Sequence, residues 1–312
     1  MKTTAKIMTA LTAASMIFPL TSCVLSYNVN VYDHAGSYTA GDFETTDEIT
    51  DLDIDWSSGT VDVSYHDKDT VSVTETCNVE LKEAQQVHTW LDGKTLHIRF
   101  CKSGENFNLD NAEKKLEVKL PKNTELKSLS YDGSSAGSHF DSIYAENFSV
   151  DTSSGAAQLD NCSADIFDID ASSGNIYFTQ TGVSSKINVD TSSGSLSLTA
   201  DTVAELNTDS SSGKMELDIA SADRITTECS SGDVELRLGA MPSETIMDAS
   251  SGDITLWIPK DAGFTAEVDT ASGSFDSEVA FTKKGDTYVF GSGDSKLDID
   301  TSSGDVTIKA AE

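Results

Sequence analysis

The sequence predicts an all-β protein built as a parallel β-solenoid, or β-helix, with about 20 residues in each coil. Two observations lead to this fold class. A phrase of the form Asp-Thr-Ser-Ser-Gly recurs through the second half of the 312-residue chain, and apolar residues alternate with polar ones on both sides of it. A fixed repeat of this size is typical of stacked folds, and an alternation with a period of two is typical of strands that bury one face.

The phrase predicts where the chain turns in each coil. Its copies end at Gly155, Gly174, Gly194, Gly213, Gly232, Gly252, Gly273 and Gly304, with spacings of 19, 20, 19, 19, 20, 21 and 31 residues. Each repeat is interpreted as a strand, a Ser-Gly corner, a second strand and a looser turn. Glycine is expected at the corner because a side chain would hinder the backbone there.

The apolar positions predict the interior of the solenoid. The residues two positions after the glycine are Ile176, Leu196, Met215, Val234, Ile254, Phe275 and Val306. One repeat cannot bury its own apolar face, whereas parallel coils about 4.8 Å apart place like residues over like. The main alternative is an antiparallel meander with two strands in each repeat.

Two polar positions are also expected at the corner. The residue three before each glycine is small, and the alternation points it inward. The residue immediately before each glycine is serine in every copy, which predicts an internal ladder of hydroxyls that satisfies backbone groups of the corner.

The start of the chain resembles a bacterial lipoprotein signal peptide over residues 1–22. A basic start is followed by an apolar stretch from Ile7 to Leu20, and Leu20-Thr-Ser-Cys23 matches the lipobox at all four positions. This resemblance implies export, cleavage before Cys23 and a lipid anchor on its sulfur, on the extracytoplasmic side of the cell membrane. The alternative is an ordinary secretory signal with an incidental cysteine.

The remaining chain divides into three parts. Residues 23–45 are expected to be a tether, residues 46–125 a β-rich N-terminal region, and residues 126–312 the solenoid repeats. An outlying copy of the phrase, Trp56-Ser-Ser-Gly59, lies in the β-rich region. The long interval before Gly304 predicts a hairpin excursion ahead of the closing coil.

The repeated unit, together with Leu116-Glu-Val-Lys-Leu-Pro121 and Leu256-Trp-Ile-Pro259, resembles the DUF4097 group of bacterial "putative adhesins" over roughly residues 46–312. The resemblance implies a surface β-solenoid. It offers no catalytic residues to transfer to this chain.

The charge balance restricts the partners. The chain has 21 basic and 52 acidic residues. Cleavage before Cys23 would remove Lys2 and Lys6 and no acid, leaving 19 basic residues and a net charge of −33. Such a charge argues against nucleic acid as a partner and favours cationic or neutral ones. Membrane association is therefore expected through the lipid anchor alone.

An acidic residue stands four positions before each glycine. The predicted ladder is Asp151, Asp170, Asp190, Asp209, Glu228, Asp248 and Asp269, with Asp300 in the last copy. The favoured interpretation is that these carboxylates cap backbone N–H groups at the corner. The alternative is a cation-binding edge, for which Ca²⁺ is the natural candidate because carboxylates suit hard cations. No cofactor is otherwise expected.

The candidates for other chemistry are few. Cys77 and Cys101 end two predicted strands and are candidates for a disulfide or for two free thiols. No histidine or serine lies in a recognisable catalytic motif. We therefore expect a non-catalytic, lipid-anchored surface module for binding or adhesion, whose partner is an envelope protein or a glycan. The alternatives are a component of an envelope-stress system and a polysaccharide lyase or hydrolase.

Overall fold

The structure, a computed structural model, describes residues 31–104 and 112–311. The signal peptide and Cys23 lie outside these residues. Within them one continuous sheet contains all the strands. The strands are β1 (Thr39–Ala40), β2 (Phe43–Thr45), β3 (Asp51–Trp56), β4 (Thr60–His66), β5 (Val71–Cys77), β6 (His88–Asp92), β7 (Thr95–Arg99), β8 (Lys114–Pro121), β9 (Leu126–Gly133), β10 (Gly137–Asp141), β11 (Tyr144–Thr152), β12 (Ala157–Ala171), β13 (Ile176–Thr191), β14 (Leu196–Ser210), β15 (Met215–Cys229), β16 (Val234–Leu238), β17 (Glu244–Ala249), β18 (Ile254–Ile258), β19 (Phe264–Thr270), β20 (Phe275–Ser277), β21 (Thr282–Lys284), β22 (Thr287–Phe290), β23 (Ser295–Thr301) and β24 (Val306–Ala310). A 3₁₀ turn spans Glu83–Gln85. No helix in the described ranges is long and apolar enough to cross a bilayer.

The strands stack as the parallel β-solenoid that the repeats predict. Strand segments that lead into the Ser-Gly corner pair in parallel from coil to coil, and we call them the pre-corner ladder. Segments that leave the corner pair in the same way and form the post-corner ladder. In β12 to β15 one long strand contains both segments, so the looser turn expected between them is absent there. Equivalent residues lie side by side, as in the series Ile176, Leu196, Met215 and Val234. Parallel register is therefore confirmed, and the antiparallel meander is wrong for the repeats.

The interior contains the residues that the alternation placed there. Ile176, Leu196 and Val234 are each at most 1% exposed, and their neighbours in both ladders are buried with them. The aromatic rings of Phe140, Phe148 and Phe167 follow one another along the interior, with centroids 5.2 and 5.5 Å apart. One continuous apolar core therefore runs through the stacked coils.

The corner glycines are required by close approach between coils. A Cβ atom on Gly194 would lie 1.8 Å from the carbonyl oxygen of Gly174, and one on Gly213 would lie 1.7 Å from that of Gly194. The same contact recurs at every corner glycine of the repeats. These glycines do not have positive φ angles, so the space between coils, and not the backbone conformation, excludes a side chain.

The small residue three before the glycine satisfies the corner. Thr191 Oγ1 donates to the Gly194 carbonyl at 3.0 Å, and Ser210 and Cys229 make the same contact in their coils. The predicted internal serine ladder is wrong, because the serines before the glycines are exposed. Their backbone groups pair between coils instead, as Ser173 N does with Ser153 O at 2.8 Å.

The solenoid begins earlier than residue 126. Strands β3 and β4 form a coil around Gly59 that pairs with β9 and β10 on one side and with β7 and β8 on the other. The expected tether is wrong for residues 39–45, because β1 pairs with β6 and β2 pairs with β5 in antiparallel fashion. The β-rich region is thus the first part of the same stack.

The C-terminal coils do not stack in chain order. The predicted hairpin is present as β21 and β22, which pair antiparallel. The Gly304 coil is not the closing one, however, because β23 lies between β17 and β19, and β24 lies between β18 and β20. The last strands of the chain are inserted as the next-to-last coil, and the Gly273 coil terminates the stack.

Candidate functional site

The predicted acidic ladder is a single continuous column on the outer face of the pre-corner ladder. Every member of the predicted set is exposed and pairs in register with its neighbour. The stacking order is Asp55, Asp132, Asp151, Asp170, Asp190, Asp209, Glu228, Asp248, Asp300 and Asp269, which we call the acid column. Arg99 occupies the next position beyond Asp55 and so ends the column at the N-terminal side.

Sequence reasoning missed two members of the acid column. Asp55 stands four residues before Gly59, so the outlying copy of the phrase already contained the signal that would have found it. Asp132 was hidden because Ala136 replaces the corner glycine in its coil, where the Cβ of Gly155 would meet the carbonyl oxygen of Ala136. A search that allowed alanine at the corner would have recovered this coil.

A second polar column runs beside the first, two residues earlier on each strand. It includes Ser149, Asp168, Asn188, Asn207 and Thr226, and Asn207 Nδ2 donates to Asn188 Oδ1 at 3.1 Å. The two columns line an open groove of about 590 Å³. The outer face of this ladder is therefore a polar surface with a regular spacing of carboxylate and amide groups.

The acid column does not cap the corner, contrary to the favoured expectation. Within the described residues, its carboxylates accept no hydrogen bond from the corner backbone. That role belongs to the residue after the glycine, since Asn175 Oδ1 accepts from Ser195 N at 3.0 Å and Asp233 Oδ1 accepts from Asp253 N at 3.1 Å. Asp253 and Asp305 continue the same pattern.

Crowding in the acid column changes its titration. Burial, followed by the charge of Asp209, raises the pKa of Asp190. Burial, followed by the charges of Asp190 and Asp151, raises the pKa of Asp170. The effect is large at Asp55, where burial and then the charge of Asp132 raise the pKa to about 6. The column therefore holds negative charge at a cost to the folded state.

The N-terminal end of the column opens into a pocket of about 540 Å³. Asp53 lies at its base, where Arg99 Nη2 donates to Asp53 Oδ2 at 2.5 Å and His97 Nδ1 lies 2.6 Å from the same oxygen. Although burial opposes it, the hydrogen bond and charge of Arg99, with a further contribution from His97, lower the pKa of Asp53. The Asp53 carboxylate thus has an ion-pair partner in Arg99, whereas the neighbouring Asp55 and Asp132 carboxylates have none among the described residues.

Aromatic rings form the wall of this pocket. Trp90 stacks on His97 with ring centroids 5.1 Å apart, and Tyr38 meets Trp90 edge-on at 5.6 Å. The Arg99 guanidinium lies 5.3 Å from the Tyr32 ring and 5.8 Å from the Tyr38 ring. The strand register explains this grouping, because Trp90 pairs with His97 and His97 pairs with Asp53 across β6, β7 and β3.

The predicted cysteine pair lies near a buried ion pair. Lys114 Nζ lies 2.6 Å from Glu75 Oε1, and both side chains are almost fully buried, against the rings of Trp56 and Phe100. Cys77 pairs with Lys114 across β5 and β8, and Cys101 follows Phe100. Both cysteines are thiols in this structure, so their disulfide stays a prediction.

The outer face of the post-corner ladder presents another regular column. Tyr177, Ser197, Glu216, Glu235 and Thr255 lie in register there, and Tyr177 is 50% exposed. In residues 31–104 and 112–311, no group of three or more His, Cys, Asp or Glu side chains is arranged to hold a metal ion.

Comparison with known proteins identifies the family of this chain. The sequence of residues 49–309 matches the family described as Toastrack DUF4097. The chain belongs to this family. The Toastrack DUF4097 match spans both the irregular N-terminal coils and the repeats, in agreement with one continuous solenoid.

Several solved structures are similar to this Toastrack DUF4097 chain. One, described as a "putative adhesin" from Parabacteroides distasonis, is 14% identical with a TM-score of 0.47, over 88% of this chain and 97% of that one. Another from the same organism, described as a "putative lipid binding protein", is 17% identical with a TM-score of 0.43 over the same shares. A "putative adhesin" from Parabacteroides merdae is 12% identical with a TM-score of 0.42, over 89% and 97%. No curated protein matches the sequence.

Proposed function

We propose that this chain is a lipid-anchored, non-catalytic binding module on the extracytoplasmic side of a bacterial cell membrane. The observation that carries the proposal is the fixed presentation of outward side chains. Corner glycines allow adjacent coils to pack closely. The acid column and the post-corner column that contains Tyr177 therefore present polar groups at the spacing of parallel strands. A surface of this kind suits contact with an extended partner.

The charge of the chain limits the class of partner. With 52 acidic residues, it repels nucleic acid and anionic lipid headgroups, and it favours a neutral or cationic partner in the envelope or on another surface. The anchor at Cys23 rests on the lipobox. Export and surface display follow from that anchor and agree with the family.

The anchor is tested by metabolic labelling with an alkyne fatty acid. The chain is compared with Cys23→Ser and with Cys229→Ser, which removes a thiol from a corner. We expect label and membrane fraction to be lost in Cys23→Ser alone. Equal labelling of all three chains would show that the anchor is not at Cys23.

Binding is tested with beads that carry the purified chain. We expect saturable attachment to isolated bacterial envelopes or to immobilised glycans, and competition by the soluble chain. Beads that carry the same chain after denaturation are the matched control, because they have the same charge without the solenoid. Equal attachment of native and denatured beads would contradict a folded binding surface.

A further inference from the structure

The pocket at the N-terminal end of the acid column differs from the rest of that face. Along the repeats, the groove is lined by carboxylates, amides and hydroxyls. At the N-terminal end of the acid column, β3 pairs with β7 and β7 pairs with β6, which contributes Trp90. The segment just before β1 contributes Tyr38. The result is a cavity of about 540 Å³ with aromatic walls and a polar base, within the size range of small-molecule sites.

The base of the pocket offers both acceptors and donors. Asp55 and Asp132 are adjacent across β3 and β9, and neither carboxylate makes a hydrogen bond to another described residue. The Arg99 guanidinium lines the same pocket, where Nη1 donates to Asp53 O at 3.1 Å and Nη2 donates to Asp53 Oδ2 at 2.5 Å. A cationic donor group therefore lies beside two carboxylates that have no partner among the described residues, and a ligand that both donates and accepts would suit the two kinds of group.

This combination discriminates between ligand classes. An ammonium ion would satisfy the two carboxylates but would meet the Arg99 guanidinium beside them. An anion would satisfy Arg99 but would be repelled by Asp53, Asp55 and Asp132. A hydrocarbon would remove the carboxylates from water without replacing their hydrogen bonds.

A neutral sugar satisfies every group. Each hydroxyl both donates and accepts, so neighbouring hydroxyls reach a carboxylate and a guanidinium together. The C–H face of a pyranose packs on rings such as those of Tyr38 and Trp90, which combine an apolar body with a polar edge.

We propose that this pocket binds a neutral sugar residue of a glycan, with Asp55 and Asp132 accepting from its hydroxyls, the Arg99 guanidinium donating to it, and Tyr38 and Trp90 packing on its ring. The inference rests on the proposed binding function and names its ligand class and position. A glycan that entered here would continue along the groove beside the acid column.

The test is calorimetric titration of the purified chain with D-glucose, D-galactose, D-mannose and N-acetyl-D-glucosamine, each up to about 50 mM, since isolated sugars are expected to bind with a Kd on the order of 1–10 mM. Cadaverine and D-glucuronate serve as the cationic and anionic arms. The variant Asp55→Asn/Asp132→Asn is compared with Asp190→Asn/Asp209→Asn, which removes the same charge from the same column outside the pocket. Thermal unfolding checks that both variants fold.

We expect at least one neutral sugar to bind, and its affinity to fall at least tenfold in Asp55→Asn/Asp132→Asn but not in the control. Tighter binding of cadaverine or D-glucuronate than of every sugar would overturn the proposal. So would the absence of sugar binding, or equal binding by both variants. If native beads still attach to envelopes under any of these three outcomes, only the proposal of a sugar pocket is rejected, and the proposed binding function stands.

Discussion

Gly174 and Gly194 stand at equivalent corners of adjacent coils, so close that a Cβ on Gly194 would lie 1.8 Å from the Gly174 carbonyl oxygen. We expect Gly194→Ala to destabilise the fold by about 3 kcal/mol or more, because neither backbone can yield without breaking parallel pairing. Urea unfolding followed by circular dichroism measures this. Gly36→Ala is the control, since its Cβ would meet nothing within 4 Å. Similar stability of both variants would show that the coils separate readily.

The acidic residues without ion-pair partners predict that the folded state is most stable at a pH below 7. Asp55 titrates at about 6 when folded and at about 3.9 when unfolded, so the folded state binds its proton first as pH falls. Stability therefore rises between about pH 6 and pH 4. Asp53 acts in the opposite direction, but only at lower pH, because its folded pKa lies below its unfolded value.

We expect the melting temperature to rise by a few degrees between about pH 7.5 and pH 5. Asp55→Asn should reduce this rise, whereas Asp286→Asn, in the exposed turn between β21 and β22, should leave it unchanged. A melting temperature that falls steadily over this range would contradict the assignment.

Charge repulsion in the acid column predicts that Asp190→Asn stabilises the protein. Carboxylates about 5 Å apart repel by roughly 0.8 kcal/mol in bulk water, and Asp190 has a neighbour on each side. The gain should shrink as NaCl is added. Glu235→Gln is the contrasting variant, because it loses contacts with Lys214 at 2.8 Å and Arg237 at 2.9 Å and should be slightly destabilised.

The acid column also allows a test of the predicted Ca²⁺-binding edge. We expect CaCl₂ to raise the melting temperature no more than NaCl at equal ionic strength. A larger effect of Ca²⁺ that disappears in Asp170→Asn/Asp190→Asn would establish the cation-binding edge instead.

The buried ion pair of Lys114 and Glu75 predicts strong asymmetry between single and double variants. Lys114→Met leaves the Glu75 carboxylate buried without its partner and should cost about 3–5 kcal/mol. Lys114→Met/Glu75→Leu removes both charges and should cost less. Lys115→Met, whose exposed pair with Asp62 is weak, should cost under about 1 kcal/mol by denaturant unfolding. Equal losses for the first two variants would show that packing, not charge, dominates.

Much of the architecture was predictable because each coil repeats the same physical problem. The spacing of Gly155 to Gly252 identified the corners, and the alternation around them identified Ile176, Leu196 and Val234 as interior. The serines were misplaced because alternation was extended through the corner, where the chain bends and the period of two no longer holds.

Stack order and the pocket could not be predicted in the same way. The Gly273 and Gly304 coils present similar types of residue at equivalent positions, such as Val268 and Ile299 or Phe275 and Val306, so the repeat pattern does not distinguish which one lies against Gly252. The pocket residues Tyr38, Trp90 and Arg99 lie outside the repeats and are brought together by the antiparallel pairing of β1 with β6 and of β6 with β7. The acid column was predicted along the repeats, where its spacing is regular.

The placement of β23 and β24 makes residues 295–310 necessary for completing the stack. Their coil lies between two coils that are synthesised before it. The Gly273 coil therefore has no strands to pair with in the stack until residues 295–310 have been synthesised. A chain cut short after residue 294 would lose two coils and not one. Completion of the rod therefore waits for the synthesis of residues 295–310, and copies that terminate earlier keep an unpaired sheet edge at β17 and β18.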